Sequence, residues 1–455
     1  MNRRPTKNGR PVLILAWVLC CLICFCLCWM KGQARAAGAD SNQTLFSGVK
    51  MDWGGHLRAV GSMSYVDDDS IYQYADADPY ADGQLELRLK NRIDLRNSWM
   101  LQTHYEAVML GGDTYENDLK LQRRFPLVAS VSMISAGTDR DEHRLFGLTG
   151  QLVEKDRYRI YHRLDRLNLS IPLDEGTLRL GRQVVTWGDG MIFNPMDLFN
   201  PFAPTAIQRD YKPGEDMAHV QLQVGAAEIQ ALCLPRRNTQ TGYVRDDESS
   251  YALKYHRPVG AAETDVMVAR HYGDVVAGIG GSGYLGNAVW RINATYTRVS
   301  GEDRRNHFFQ MVANLDYAWM WAGKNVYGLM EFYVNEAGRE DDYAKAADDV
   351  ELAERLERGE LFTIGRYYLA GRLQVELHPL LQFHATAIVN VKDPSGLLQP
   401  QLLWDVSGNL QMIFGAQGHW GGHSSEFGGY DVTAAGSAIK IVPADRIFLW
   451  LTYYF

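Results

Sequence analysis

The chain has 455 residues, with 46 Lys and Arg against 54 Asp and Glu, a net charge of −8, and 46% hydrophobic and 11% aromatic residues. The 22% of charged residues among abundant Tyr, Trp and Gly exclude disorder, 15 prolines exclude a collagen-like chain, and the acidic balance offers no basic footprint for nucleic acid. A mean hydropathy of −0.25 excludes a polytopic helical membrane protein but not a transmembrane β-barrel, where only every second strand residue must be apolar.

Residues 1–10, MNRRPTKNGR, carry Arg3, Arg4, Lys7 and Arg10 and no acid, and residues 11–30 are almost wholly apolar. Ala34 and Ala36 then occupy the positions of an A-x-A cleavage site. This layout predicts a secretory signal peptide over 1–36, followed by a single barrel over 37–455. The apolar core is about 20 residues against a usual ~7–15, so an uncleaved helical anchor is the alternative. Five of the six cysteines (Cys20, Cys21, Cys24, Cys26 and Cys28) lie in that core, leaving Cys233 and no intrachain disulfide after cleavage. A large exported chain without disulfides draws its stability from a hydrogen-bonded scaffold. Loss of the six basic residues in 1–36 moves the net charge from −8 to −14.

Beyond the signal the pattern has a period of two. In residues 85–96, Leu85, Leu87, Leu89, Ile93 and Leu95 share one face, while Glu86, Arg88, Lys90, Arg92, Asp94 and Arg96 share the other. As a helix this segment would scatter charge all round; as a strand it is half apolar. The same alternation recurs at 366–378 and, less cleanly, at 308–319 and 381–392. Strands are predicted near 53–66, 83–96, 98–110, 156–171, 176–187, 216–224, 227–235, 250–258 and 263–271. Nine more follow near 274–283, 287–299, 307–321, 325–335, 361–378, 381–392, 398–407, 409–420 and 446–455. The even-numbered links are short, and the odd-numbered links include every long one, notably 111–155, 188–215, 336–360 and 421–445. Short turns at one end and long loops at the other are the plan of an outer-membrane barrel. The fold class is therefore all-β: a transmembrane antiparallel up-and-down β-barrel of about 18 strands, with 16 as the nearest alternative. The chain ends RIFLWLTYYF, with Ile447, Leu449, Leu451 and Tyr453 on one face and Phe455 last. This end resembles the terminal strand of bacterial outer-membrane proteins, which the barrel-insertion machinery recognises by its final aromatic residue.

Gly181-Arg182-Gln183, Trp187-Gly188 and Asn194-Pro195-Met196-Asp197 form a GRQ…WG…NPxD segment. It resembles a segment of porin-like bacterial outer-membrane barrels, a broad class that includes alginate-export-type channels and uncharacterised barrels. The resemblance implies a barrel channel and names no solute. Read physically, strand five climbs to Trp187 at an aromatic girdle. Asn194 then caps a short helix beginning at Pro195, with Asp197 in its first turn. Loop 188–215 is expected in the mouth or lumen, with Asn194 and Asp197 as constriction candidates.

Other motifs carry less. Gly278 to Gly283 matches G-x-G-x-x-G, but a strand pattern follows where a dinucleotide site needs a helix. Glycines easing a strand into its turn are the simpler account. The acids Asp67, Asp68, Asp69, Asp76, Asp78 and Asp82 lack the ligand order of a calcium loop and read as a solvated loop. Residues 340–360 look helical and acidic, a surface excursion of the seventh outer loop. The histidines are scattered, no HExxH occurs, and no local motif pairs a nucleophile with a base. No enzyme activity, cofactor or metal is expected.

The remaining constellation is a basic lumen face: Arg88, Lys90, Arg92 and Arg96 in strand two, Arg159 and Arg163 in strand four, Arg179 in strand five, and Arg366 and Arg372 in strand fourteen. Arg182 has the parity of Leu178 and Leu180, so a bulge re-aims it inward or it snorkels to the rim. The alternation also slips between Asp165 and Arg166, a place that favours a bulge. Glu86, Asp94, Glu106 and Asp165 stand near enough to pair with these arginines, so a structural network and an anion-guiding ladder are both open. The predicted function is an outer-membrane channel for small polar or anionic solutes. The alternatives are an export or structural barrel with a periplasmic partner and, behind it, a barrel-embedded hydrolase. Expected partners are outer-membrane lipids and lipopolysaccharide, the insertion machinery and a homo-oligomer, with no nucleic acid.

Overall fold

Along the strand Tyr80–Asp94 the charged parity is the hidden one: Glu86 and Arg88 are 4% and 3% exposed, whereas Leu85 is 40% exposed. A sheet with that inversion hides its polar face by curling around it and shows its apolar face outward. The computed structural model describes residues 50–73, 77–95, 98–124, 141–206, 211–301, 304–346, 348–434 and 437–455. The predicted signal segment 1–36 and Arg96 lie outside the described residues.

Eighteen antiparallel strands build the wall. In chain order they are β1 (Lys50–Tyr65), β2 (Tyr80–Asp94), β3 (Met100–Gly112), β4 (Tyr158–Leu173), β5 (Gly176–Gln183) and β6 (Glu215–Val224). Next come β7 (Ala227–Arg237), β8 (Val244–Val259), β9 (Ala262–His271), β10 (Asp274–Leu285), β11 (Ala288–Arg298) and β12 (His307–Trp321). The last are β13 (Lys324–Asn335), β14 (Tyr367–His378), β15 (Leu381–Asn390), β16 (Gly396–Ser407), β17 (Leu410–Trp420) and β18 (Asp445–Tyr454). Each pairs with its neighbours in sequence, and β18 pairs with β1, so the sheet closes and has no free edge. The count agrees with the eighteen expected from alternation. Turns such as Gly225-Ala226, Gly260-Ala261 and Gly286-Asn287 join strands at one end, each with glycine at positive φ. The long links gather at the other end.

The closing seam is tight. Gly55 N donates to Phe455 O at 2.9 Å and Phe455 N to Gly55 O at 3.1 Å. A Cβ on Gly55 would stand 2.2 Å from Arg88 O and 2.8 Å from the Phe455 ring. Gly55→Val should therefore block closure, and the folded, faster-migrating band on an unheated gel should be largely lost. A normal yield of that band would count against the seam as described.

The wall has one irregularity that matters. Opposite His104 and Tyr105 the β4 register slips by one residue, so Asp165 is the extra residue of a bulge. The inward set changes from Tyr161 and Arg163 before it to Arg166, Asn168 and Ser170 after it. This is where the alternation slips in the sequence. β5 then ends early, at Gln183, and leaves the upper wall beside β4 empty. The preceding long link fills the gap. Its short strand Thr149–Glu154 pairs with β4 from Arg159 to Arg163, and His143 O accepts from Arg237 N of β7 at 2.8 Å. The same link begins with helix α1 (Asp113–Arg124), whose first turn carries Asp113 and Glu116 at its positive end.

Candidate functional site

The chain leaves the wall through Gly181 to Asp197, and each residue type there has a steric or bonding reason. Gly181 holds φ +112°, and a Cβ on it would meet Leu167 O at 2.2 Å. Arg182 follows on the outward parity but is only 1% exposed, because the stretch from Asp141 to Phe146 of the preceding long link covers it. Its guanidinium binds Asp216 at 2.8 and 3.0 Å, Asp141 at 3.0 Å and Phe146 O at 2.7 Å. Arg182 is thus a brace within the wall gap, and it does not line the lumen as expected. Burial works against Asp141, yet Arg182 and Arg144 hold its carboxyl below the usual carboxylate range.

Trp187 is likewise misplaced by sequence reasoning. It sits inside, 1% exposed, edge-on to Phe199 at 5.3 Å, with Nε1 donating to Gln230 at 2.7 Å. No girdle position is involved. Asn194 Nδ2 donates to Trp187 O at 3.0 Å, and Asp197 N donates to Asn194 O at 3.1 Å. Asn194–Asp197 is therefore a β-turn with Pro195 at its second position, where a short helix was expected. Lys212 pairs with Asp197 and donates to Thr186 at 2.8 Å, clasping the two ends of the loop together. Burial pushes the Asp197 carboxyl up to about 6, with the Lys212 ammonium pulling the other way.

The described parts of this loop, residues 184–206 and 211–214, cross the lumen and are anchored on widely separated strands. Glu331 of β13, 1% exposed, accepts from the backbone N–H groups of Met191, Ile192 and Phe193 at 2.9, 3.1 and 2.6 Å. Phe193 stacks on Tyr333 at 4.3 Å and 8°. Asn293 of β11 accepts from Asp189 N at 2.7 Å, and Gln399 of β16 donates to Thr205 O at 3.3 Å. Across the lumen, Tyr211 lies under the Arg88 guanidinium at 4.5 Å and accepts from Lys90. The glycine run of β10 now has its reason. A Cβ on Gly280 would meet Asn293 Nδ2 at 2.6 Å and Met196 Sδ at 3.2 Å, so Gly280 gives the loop room against the wall, while one on Gly278 or Gly283 would meet the wall side chains Met267 and Trp290.

The expected basic ladder divides into two kinds of residue. Arg88 is enclosed by Asp165 at 2.8 Å, Glu106 at 3.2 Å and Glu86 at 3.5 Å; Arg163 binds Glu106 at 2.5 Å. His56 and Arg58 reach Glu86 at 3.0 and 3.2 Å, and Arg166 reaches Asp165 at 2.6 Å. These side chains form one compensated cluster joining β1, β2, β3 and β4. Arg159 lies near the Tyr161 and Tyr115 rings at 5.3 and 5.8 Å. Arg92, paired with Asp94 at 2.9 Å and open to solvent, shares a recess at the short-turn end with Arg179, which donates to Gln221 at 3.2 Å. Arg366 lies just before β14, tied to Glu340 at 2.7 Å and Gly338 O at 3.3 Å; it belongs to the loop rim and not to the lumen wall.

Arg372 differs from all of these. It shares the inward parity of Tyr368 and Ala370 and makes no ion pair among the described residues. Arg446 of β18, which the sequence reading did not single out, donates to Gln417 at 3.0 Å and also has no carboxylate partner among them. Cross-strand register carries Arg372 to Thr386 and Gln399, and Gln417 to Arg446, along one side of the barrel.

A second long link roofs the loop end of β9 to β12. Helix α2 (Val350–Glu357), capped by Asp349 accepting from Leu352 N at 3.1 Å, buries Leu352 and Arg355. Arg355 binds Asp274 at the head of β10 at 2.6 Å. The helical reading of 340–360 holds in part, but the segment turns inward onto the barrel mouth and is no surface excursion. Tyr343, Ala346, Leu352 and Leu361 find cover there, while Val350 stays exposed.

No family model matches the chain, and no curated protein is similar to it in sequence. Among solved structures, OccAB2 of Acinetobacter baumannii is similar with a TM-score of 0.51 at 9% identity, over 89% of this chain and 98% of that one. The chain shares that barrel fold. A BenF-like porin from Pseudomonas fluorescens Pf-5 and OccK2 (OpdF) of Pseudomonas aeruginosa in complex with glucuronate each give a TM-score of 0.49 at 8% identity, again over 89% of this chain and 98% of theirs.

Proposed function

We propose that this chain is an outer-membrane channel for small polar solutes with a bias toward anions. The observation that carries this reading is a closed barrel, apolar outside and polar inside, whose lumen is crossed by an anchored loop and whose inner wall holds two arginines, Arg372 and Arg446, with no carboxylate partner among the described residues. Outward-facing aromatics such as Tyr317, Trp319 and Trp321 sit toward the short-turn end, as a membrane girdle requires. Eighteen strands enclose more space than wall side chains fill, so a loop narrows the path without having to seal it. Near low-dielectric walls an unpaired guanidinium projects its field into the solute path, and loop acids beyond ~8 Å are screened at physiological salt.

In planar bilayers the purified protein should conduct with no added component, which separates a channel from an export barrel that waits for a periplasmic partner. Under a KCl gradient its reversal potential should carry the sign of chloride preference. Changing Arg372 and Arg446 together to Gln should move that potential to zero or to the cation side. A cation-selective parent, or a potential unmoved by the double change, would sink the anion bias.

A further inference from the structure

The outer face of the barrel carries a charged row at the loop end of β8 to β12. β8 to β12 pair so that Tyr251, Arg270, Val275, Arg298 and His307 stand opposite one another on consecutive strands, all exposed. The next row toward the short-turn end, Leu253, Val268, Ala277, Tyr296 and Phe309, is apolar throughout. Val266, Ile279 and Met311 continue the apolar surface below it. From His307 to the girdle residue Trp319 the tilted strand β12 spans roughly 30 Å of barrel height, close to the thickness of a membrane's apolar layer. The row therefore lies at the headgroup level of the outer leaflet.

Its charges are available. Arg298 makes no ion pair among the described residues, and Arg270 pairs only with Asp246 in an exposed contact of the weak kind. Tyr296 and His307 stack at 5.4 Å and 25°, presenting a flat aromatic step between the two arginines' row and the apolar band. Val334 of β13 and Tyr65 of β1, the outward residues nearest the same end on those strands, carry no charge. The row thus does not continue onto β13, and the loop end of β1 does not carry it either.

We infer that this row docks the phosphate-bearing headgroup of an outer-leaflet glycolipid. This rests on the outer-membrane reading above. Planar guanidinium forks match phosphate oxygens in a bidentate way that a solvent-exposed carboxylate partner does not prevent. Arg270 and Arg298 are two strands apart, roughly 10 Å, so one headgroup can lie between them. Tyr251 and Tyr296 offer hydroxyls at the interface, and the apolar rows beneath receive the acyl chains.

The test is native mass spectrometry of the purified, folded protein with bis-phosphorylated lipid A as the probe. The parent should retain lipid A, and the Arg270→Gln, Arg298→Gln double variant should lose it at least tenfold. Arg245→Gln, which breaks an exposed pair with Asp247 nearer the loop end of β8, should retain it. Lipid A stripped of its phosphates should bind parent and double variant alike. The unheated-gel shift confirms that the double variant is folded, and Arg298→Lys supplies a milder change that should weaken retention less. Equal retention by the folded double variant would overturn the proposal. So would displacement of lipid A by millimolar inorganic phosphate, which would mark a free-anion site. A parent that conducts in bilayers but holds no lipid A would sink the docking row and leave the channel standing.

Discussion

Replacing Glu331 by Ala should raise single-channel conductance several-fold and make it noisier. The carboxylate gathers three consecutive backbone N–H groups of the lumen loop, donors that would otherwise be buried without acceptors. Hydrogen bonds to a charged acceptor contribute about 1.5–3 kcal/mol each, so losing three exceeds what the Phe193–Tyr333 stack alone retains. The loop should then leave the wall of β13 and widen the path. Glu331→Gln keeps one carbonyl acceptor and should give an intermediate conductance. Planar-bilayer recordings decide the matter: if both variants conduct as the parent does, the loop at Met191–Phe193 does not set the width.

Arg88→Met should lower stability rather than selectivity. Arg88 stands among Glu86, Glu106 and Asp165, all nearly inaccessible, and no neutral side chain can replace its three contacts. Breaking a buried ion pair by removing one partner costs about 3–5 kcal/mol, because the remaining charges stay desolvated. The temperature at which the folded band disappears on a gel series should fall well below that of the parent. Arg372→Gln, which strands no carboxylate, should leave that temperature unchanged. The opposite pattern, a stable Arg88→Met barrel with a shifted reversal potential, would make the β2–β4 cluster a conduit instead of a brace.

Much of the architecture is legible without coordinates, because strand alternation is a local property. Each side chain's face follows from its parity alone, so eighteen apolar-out segments, their short turns and even the β4 slip at Asp165 can be read residue by residue. The GRQ…WG…NPxD segment also marks the right place, the point where β5 leaves the wall.

What parity cannot supply is distance across the chain. It puts Arg88, Arg163 and Arg372 on the same kind of face, yet only the closed sheet brings Glu86, Glu106 and Asp165 around the first two and leaves the third alone. It assigns Arg182 to the outward face, and only the returning segment 141–154 shows why a guanidinium can stay there. Glu331 and Tyr211 gave no signal at all, since their partners lie on the lumen loop, far away in sequence. By itself the sequence determined the barrel and which residues face inward. The tertiary structure decided which of those charges are cancelled, because compensation depends on contacts of about 3 Å between strands that alternation leaves unspecified.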